Sequence, residues 1–148
     1  MNTYSLFSKF KRVYKIALYT IFMAALSFFS LYLGFQKVMV LGEPIGNIET
    51  YSRFDFAAIP MGIGLFIVVI LGVFYIITEE KWEDRHGATL PLSLVGLLIA
   101  TVLVTLITPS IYETRYEKAG LQQCKGIPTG HLPLFAKKFA TDPSLCYE

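Results

Sequence analysis

Side chains able to do chemistry are sparse in this chain, and their densest grouping is TEEKWEDRHG, residues 78–87. On a continuous helix, Glu79, Glu83 and His86 would share a face, because their spacings are four and three residues. Two carboxylates and an imidazole suit a divalent metal, and Glu-x-x-His is half of the ligand set of di-iron helical bundles. The other half is missing, since no second Glu-x-x-His occurs. The segment therefore reads as a solvated connector between two helices, with Trp82 as an interfacial anchor.

Cys124 and His131 are the next candidates, as a thiolate with its base or as two zinc ligands. A structural zinc site takes about four ligands, and nothing in the spacing brings these two together. A disulfide between Cys124 and Cys146, the only cysteines, is the better expectation. It would close a loop of about 20 residues and contribute on the order of 3 kcal/mol, provided the tail faces an oxidising compartment. Neither glycine grouping is followed by the lysine and hydroxyl residue of a phosphate loop. No catalytic residue, metal site or cofactor site is expected, and the chain is not expected to be an enzyme.

The elements that must hold these residues are dictated by hydropathy. Of 148 residues, 54% are hydrophobic and 16% charged, too apolar for an ordinary soluble domain of this length. Uncharged runs at about 16–35, 57–78 and 88–109 each match a hydrocarbon core of roughly 30 Å. Peptide groups in lipid need internal partners, so the runs predict helices. The expected fold is an all-α integral membrane protein: a three-helix transmembrane unit over residues 1–109 and a short, partly irregular extracytoplasmic tail over 110–148. Pro109 is the expected stop of the third span. Lys9, Lys11, Arg12 and Lys15 give the first run a signal-like start. Its length and the lack of a small-x-small site directly after it predict a retained span.

The basic, acid-free start favours a cytoplasmic N-terminus, with residues 36–56 and the tail outside and Glu79–His86 inside. A bacterial inner membrane is the economical location. In the outer loop, Val38–Leu41 extends the first helix or forms a brief strand, before Gly42, Pro44 and Gly46 impose turns. In the tail, Tyr112 and Tyr116 are expected at headgroup level as interfacial anchors. The stretch LPLFAKKFA, residues 132–140, is expected to make a short amphipathic turn or two. Loop and tail packed together would make a small cap.

None of the three runs contains Asp, Glu, Lys, Arg or His, the residues that mark proton relays and ion routes. Small residues at spacings of three and four are the more informative feature. Thr20, Ala24, Ser27 and Gly34 line one side of the first span; Ala58, Gly62, Gly64 and Gly72 thin the second; Ser93, Gly96 and Ala100 form a ridge on the third. Such ridges permit close backbone approach in lipid, within one chain or between chains. The partners implied are the bilayer and other membrane subunits or a second copy. Nucleic acid is not implied, because a net charge of +2 is dispersed over short polar segments. The expected function is an accessory or assembly subunit of a membrane complex. An oligomeric transporter or channel component and a membrane immunity or inhibitor protein are the alternatives.

Overall fold

A computed structural model describes residues 3–126, 132 and 135–147, with side-chain surroundings from Lys11 onward. In chain order the elements are α1 (Thr3–Val40), β1 (Ile48–Ser52), α2 (Ala58–Thr78), α3 (Trp82–His86), α4 (Thr89–Lys118), β2 (Gln122–Gln123), β3 (Ala136–Ala140) and a final 3₁₀ turn, η1 (Pro143–Tyr147). Three of these helices, α1, α2 and α4, are long and apolar enough to cross a membrane. Only 11%, 6% and 0% of their most apolar stretches are buried by protein. So much uncovered hydrocarbon would be untenable in water, and a bilayer is the medium that covers it.

Two helices outrun their uncharged stretches. α1 continues through Val38 to Val40, which settles the outer-loop ambiguity in favour of helix. α4 passes through Pro109 and ends only at Lys118, so the predicted stop at Pro109 is corrected. Proline inside a helix removes one backbone bond and costs about 3 kcal/mol. Packing of Tyr112 and Tyr116, about one and two turns beyond, offsets that cost because both are buried in an aromatic core.

The chain forms two compact units: residues up to Tyr32 together with Ile59–Ala100, and Leu33–Ala58 together with the residues from Thr101 onward. In the first, α1 and α2 run antiparallel at close range. Ser27 Oγ donates a hydrogen bond of 2.8 Å to the Gly62 carbonyl. A Cβ at Gly62 would lie 2.7 Å from Leu31 Cγ, and one at Gly72 would overlap the Thr20 hydroxyl. α2 needs glycine at both points because the Leu31 and Thr20 side chains of α1 occupy the space a Cβ would take. Beyond α2 the chain makes the single turn of α3, which ends at Gly87, whose φ of 73° suits a residue without a Cβ, with its N–H on the Glu83 carbonyl at 3.1 Å.

The second unit departs from the all-α fold expected for the chain, whose tail was expected to be partly irregular. It holds a three-stranded antiparallel sheet in the order β1-β3-β2. Ile48 pairs with Ala140 and Ser52 with Ala136, while Gln122 and Gln123 pair with Ala140 and Phe139. The expected cap from loop and tail thus forms, but by strand pairing; AKKFA is a strand where amphipathic turns were expected. Its two faces explain why. Phe139 points into a cluster with Tyr51, Tyr112, Tyr116 and Leu121. Ala140, on the opposite face of β3, packs with Cys124 and Cys146. An element wanted on both sides satisfies its backbone best as the central strand.

Candidate functional site

The sheet unit carries the densest set of specific side-chain interactions. Tyr51 stacks on Tyr112 with ring centroids 4.8 Å apart, and Phe56 stacks on the other face of Tyr112 at 5.2 Å. Phe139 closes the group against Tyr116 at 5.3 Å. Such stacked and tilted pairs add on the order of 1 kcal/mol each beyond their buried area. The Tyr51 hydroxyl donates to Glu113 Oε1 at 2.8 Å, and Lys137 Nζ donates to the same oxygen at 2.6 Å. Burial first, and then the hydrogen bond to Glu113, push the Tyr51 hydroxyl well above the ordinary tyrosine range. It is therefore a fixed proton donor near neutral pH, not a base.

Further bonds tie this core to the chain entering it. Arg115 donates to the Glu43 carbonyl at 2.7 Å, holding the loop after α1 against α4. Asp55 accepts from the Ser52 backbone N–H at 3.0 Å and lies 3.7 Å from Lys37 Nζ. On the other face of β3, Lys138 Nζ donates to the Cys146 carbonyl at 3.1 Å. Cys124 and Cys146 form the disulfide the sequence predicts, with Cα atoms 5.6 Å apart. Thiolate chemistry at Cys124 is thereby closed off unless the bond is reduced, and His131 lies outside the described residues. Beside the bridge is a groove of about 330 Å³ lined by Gln122, Gln123, Lys125, Pro143 and Tyr147. Its amide, ammonium and phenol groups can hydrogen-bond a polar ligand.

The remaining sequence-predicted residues divide clearly. Ser27 meets Gly62, and Gly72 meets Thr20, within the helical unit. A Cβ on Gly64 would reach ordinary contact with Leu94 at 4.0 Å. Ala24, Ser93 and Ala100 are half-buried, and Gly34 is buried. Gly96 has open space where its Cβ would be. Trp82 is half-buried, its ring 4.5 Å from His86 and 5.0 Å from Phe74. Its indole nitrogen is buried with no acceptor among the described residues.

Tyr112 and Tyr116 are not headgroup anchors: each is 3% exposed, because Tyr51 and Phe139 arrive from distant segments to cover them. Glu79, Glu83 and His86 do not share a continuous helix, because α2 ends at Thr78 and Glu79 turns out of it at φ 59°. Tyr51, Glu113 and Lys137 were not singled out from the sequence. They lie 62 and 24 residues apart in the chain, and no local spacing signals their meeting.

A membrane protein with three candidate spans and a disulfide-closed, strand-paired module is the class these features define. The model of the family DUF1240, described as a protein of unknown function, matches residues 49–147, and the chain belongs to that family. The matched stretch runs from β1 into η1 and includes both cysteines, α2 and α4. No curated protein and no solved structure matches the chain.

Proposed function

We propose that this protein is an accessory or assembly subunit of a larger membrane complex, recruiting its partner through the open face of α4. The observation that carries this reading is the contrast among the glycines. Gly62 and Gly72 are consumed by α1, whereas a side chain at Gly96 would meet nothing within 4 Å. In lipid a small residue left open on a helix lets another backbone approach closely. α4 also has the least protein cover of the three spans, 0% of its apolar stretch. The span hydroxyls of Thr20, Thr105 and Thr108 donate to carbonyls of their own helices at 2.7–2.8 Å, which favours packing over a polar path.

The same reading places the N-terminus in the cytoplasm of a bacterium and the sheet unit outside the inner membrane. Disulfides persist in oxidising compartments, and the Cys124–Cys146 bridge supports that orientation. Crosslinking in the native membrane followed by mass spectrometry tests the proposal, comparing wild type with Gly96→Leu. The expected result is a crosslinked membrane partner lost on Gly96→Leu while insertion and disulfide closure persist. Recovery of the protein only as a free monomer in both samples would refute it. A specific solute flux from purified, reconstituted protein, or protection of cells on expression, would point instead to the transporter or inhibitor alternatives.

A further inference from the structure

We propose that Phe54 and Phe135 form an aromatic wedge that inserts into the lipid headgroup–acyl boundary at the end of the membrane where α2 begins. The wedge anchors the sheet unit to the bilayer. This inference rests on the membrane-spanning reading of α2 and is independent of any partner subunit.

Most aromatic side chains of the sheet unit are turned inward, as Tyr51, Tyr112, Tyr116 and Phe139 show. Phe54 and Phe135 are the exceptions among the phenylalanines after β1 in this unit, at 51% and 65% exposed. They pack edge to face with centroids 5.7 Å apart, so their exposed surfaces are continuous. Both emerge from one end of the β1–β3 ladder. Phe54 follows Ser52 by two residues, Phe135 precedes Ala136, and Ser52 pairs with Ala136. Phe135 holds a left-handed backbone at φ 58°, which a bulky residue rarely adopts and which the strand pairing beside it fixes.

The level of this pair relative to lipid follows from α2. The helix has 21 residues and no charge. At about 1.5 Å per residue it is roughly 31 Å long, the thickness of the hydrocarbon core. Its first residue, Ala58, therefore marks the hydrocarbon edge. The Ala58 N–H donates to the Phe54 carbonyl at 3.3 Å, which puts Phe54 one turn before that edge. One turn is about 5 Å, and the headgroup layer on each side is roughly 5–8 Å deep. Phe135, in contact with Phe54, lies in the same layer. Exposed Arg53 adds a cation at this level, the combination of ring and long basic stem that suits an interface of apolar chains and phosphates. These two rings take the anchoring role that the sequence suggested for Tyr112 and Tyr116.

Trp82 is the only tryptophan, so a Trp82→Phe background allows a single reporter. The full chain carrying Phe135→Trp, and separately Phe54→Trp, is reconstituted in phosphatidylcholine vesicles containing lipids brominated high or low on the acyl chain. The expected result is loss of most emission with bromines near the headgroup, a smaller loss with bromines near the chain end, and weak quenching by aqueous acrylamide. Strong acrylamide quenching without an effect of bromolipid overturns the proposal. Protection from both quenchers overturns it too, since the rings would then be covered by protein. Resistance to thiol alkylation verifies the fold of each variant, and if one reporter fails that check the other decides.

Discussion

Replacing Gly62 with alanine places one methyl group at the closest approach of α1 and α2, and its effect can be worked from three contributions. The new Cβ would sit 2.7 and 2.8 Å from Leu31 Cγ and Cδ2, and 3.1 Å from the Leu31 backbone nitrogen. The leucine side chain can rotate, but the helix backbone behind it cannot yield alone, so α1 and α2 must separate. Overpacking of this kind costs about 1–3 kcal/mol. Separation also lengthens the 2.8 Å bond from Ser27 to the Gly62 carbonyl. Inside a membrane such a bond averages about 0.6 kcal/mol. Against these stands the better helix propensity of alanine, up to about 1 kcal/mol. The expected net loss is roughly 1–2 kcal/mol from those terms. At Gly96 the same substitution meets nothing within 4 Å, so only the propensity gain remains. The two variants should therefore differ by about 2–3 kcal/mol, or roughly 30- to 160-fold in the folding equilibrium. Reversible unfolding of the full chain in mixed micelles measures this, with Trp82 emission as reporter because its ring packs on Phe74 in the helical unit. Equal stability of Gly62→Ala and Gly96→Ala would refute the close-packing argument.

Two further predictions concern the sheet unit. Cys146→Ser opens a bridge between residues 22 apart. It should destabilise the unit by about 3 kcal/mol, read as faster amide exchange across β2, β3 and η1 while α1 and α2 keep their protection. Unchanged exchange there would show that the aromatic cluster holds the sheet unaided. Tyr51 should also make the unit sensitive to alkali. Its folded pKa is raised by burial and by Glu113, above the value of about 10 for an unfolded tyrosine. The stabilisation tied to the protonated hydroxyl is thus complete below about pH 10 and lost as pH climbs through the folded value. Phenolate absorbance of wild type minus Tyr51→Phe should reveal a component ionising above the exposed tyrosines; a component titrating among them would contradict the buried hydrogen bond.

What could be read from the residues beforehand followed from local composition. Three uncharged runs have one physical meaning in a chain this apolar, and the only two cysteines, both in the tail, leave one intramolecular pairing. What could not be read depended on partners distant in sequence. AKKFA lacks clean alternation because Phe139 and Ala140 are both buried, one toward α4 and one toward the disulfide. Its main partner strand lies 84 to 92 residues earlier in the chain, at Ile48–Ser52. Tyr112 and Tyr116 have the spacing of an interfacial pair, and only the arrival of Tyr51 and Phe139 makes them core. The small-residue ridges of α2 and α4 look alike as text. Which of them is filled depends on the position of Thr20 and Leu31 on α1, and that is a tertiary fact.

The helical unit and the strand-paired module draw their specificity from different contacts, and this bears on what the molecule can do. In the helical unit apolar burial between spans contributes little, because lipid tails are as apolar as leucine, so fit and hydroxyl–carbonyl bonds must specify the arrangement. The Ser27–Gly62 bond and the Thr20–Gly72 contact supply this for α1 and α2. No equivalent filled glycine contact occurs at Gly96 on α4. In the sheet unit stability comes instead from ring stacking, a covalent bridge and a strand covered on both faces. A strand pinned from both sides resists the local opening on which gating motions draw, because moving Phe139 also moves Ala140 and the cystine packed on it. Stiffness there and an unfilled face on α4 together suit a protein that presents fixed surfaces to a neighbour, which is why partner capture, with Gly96→Leu as its control, is the decisive experiment for the proposed role.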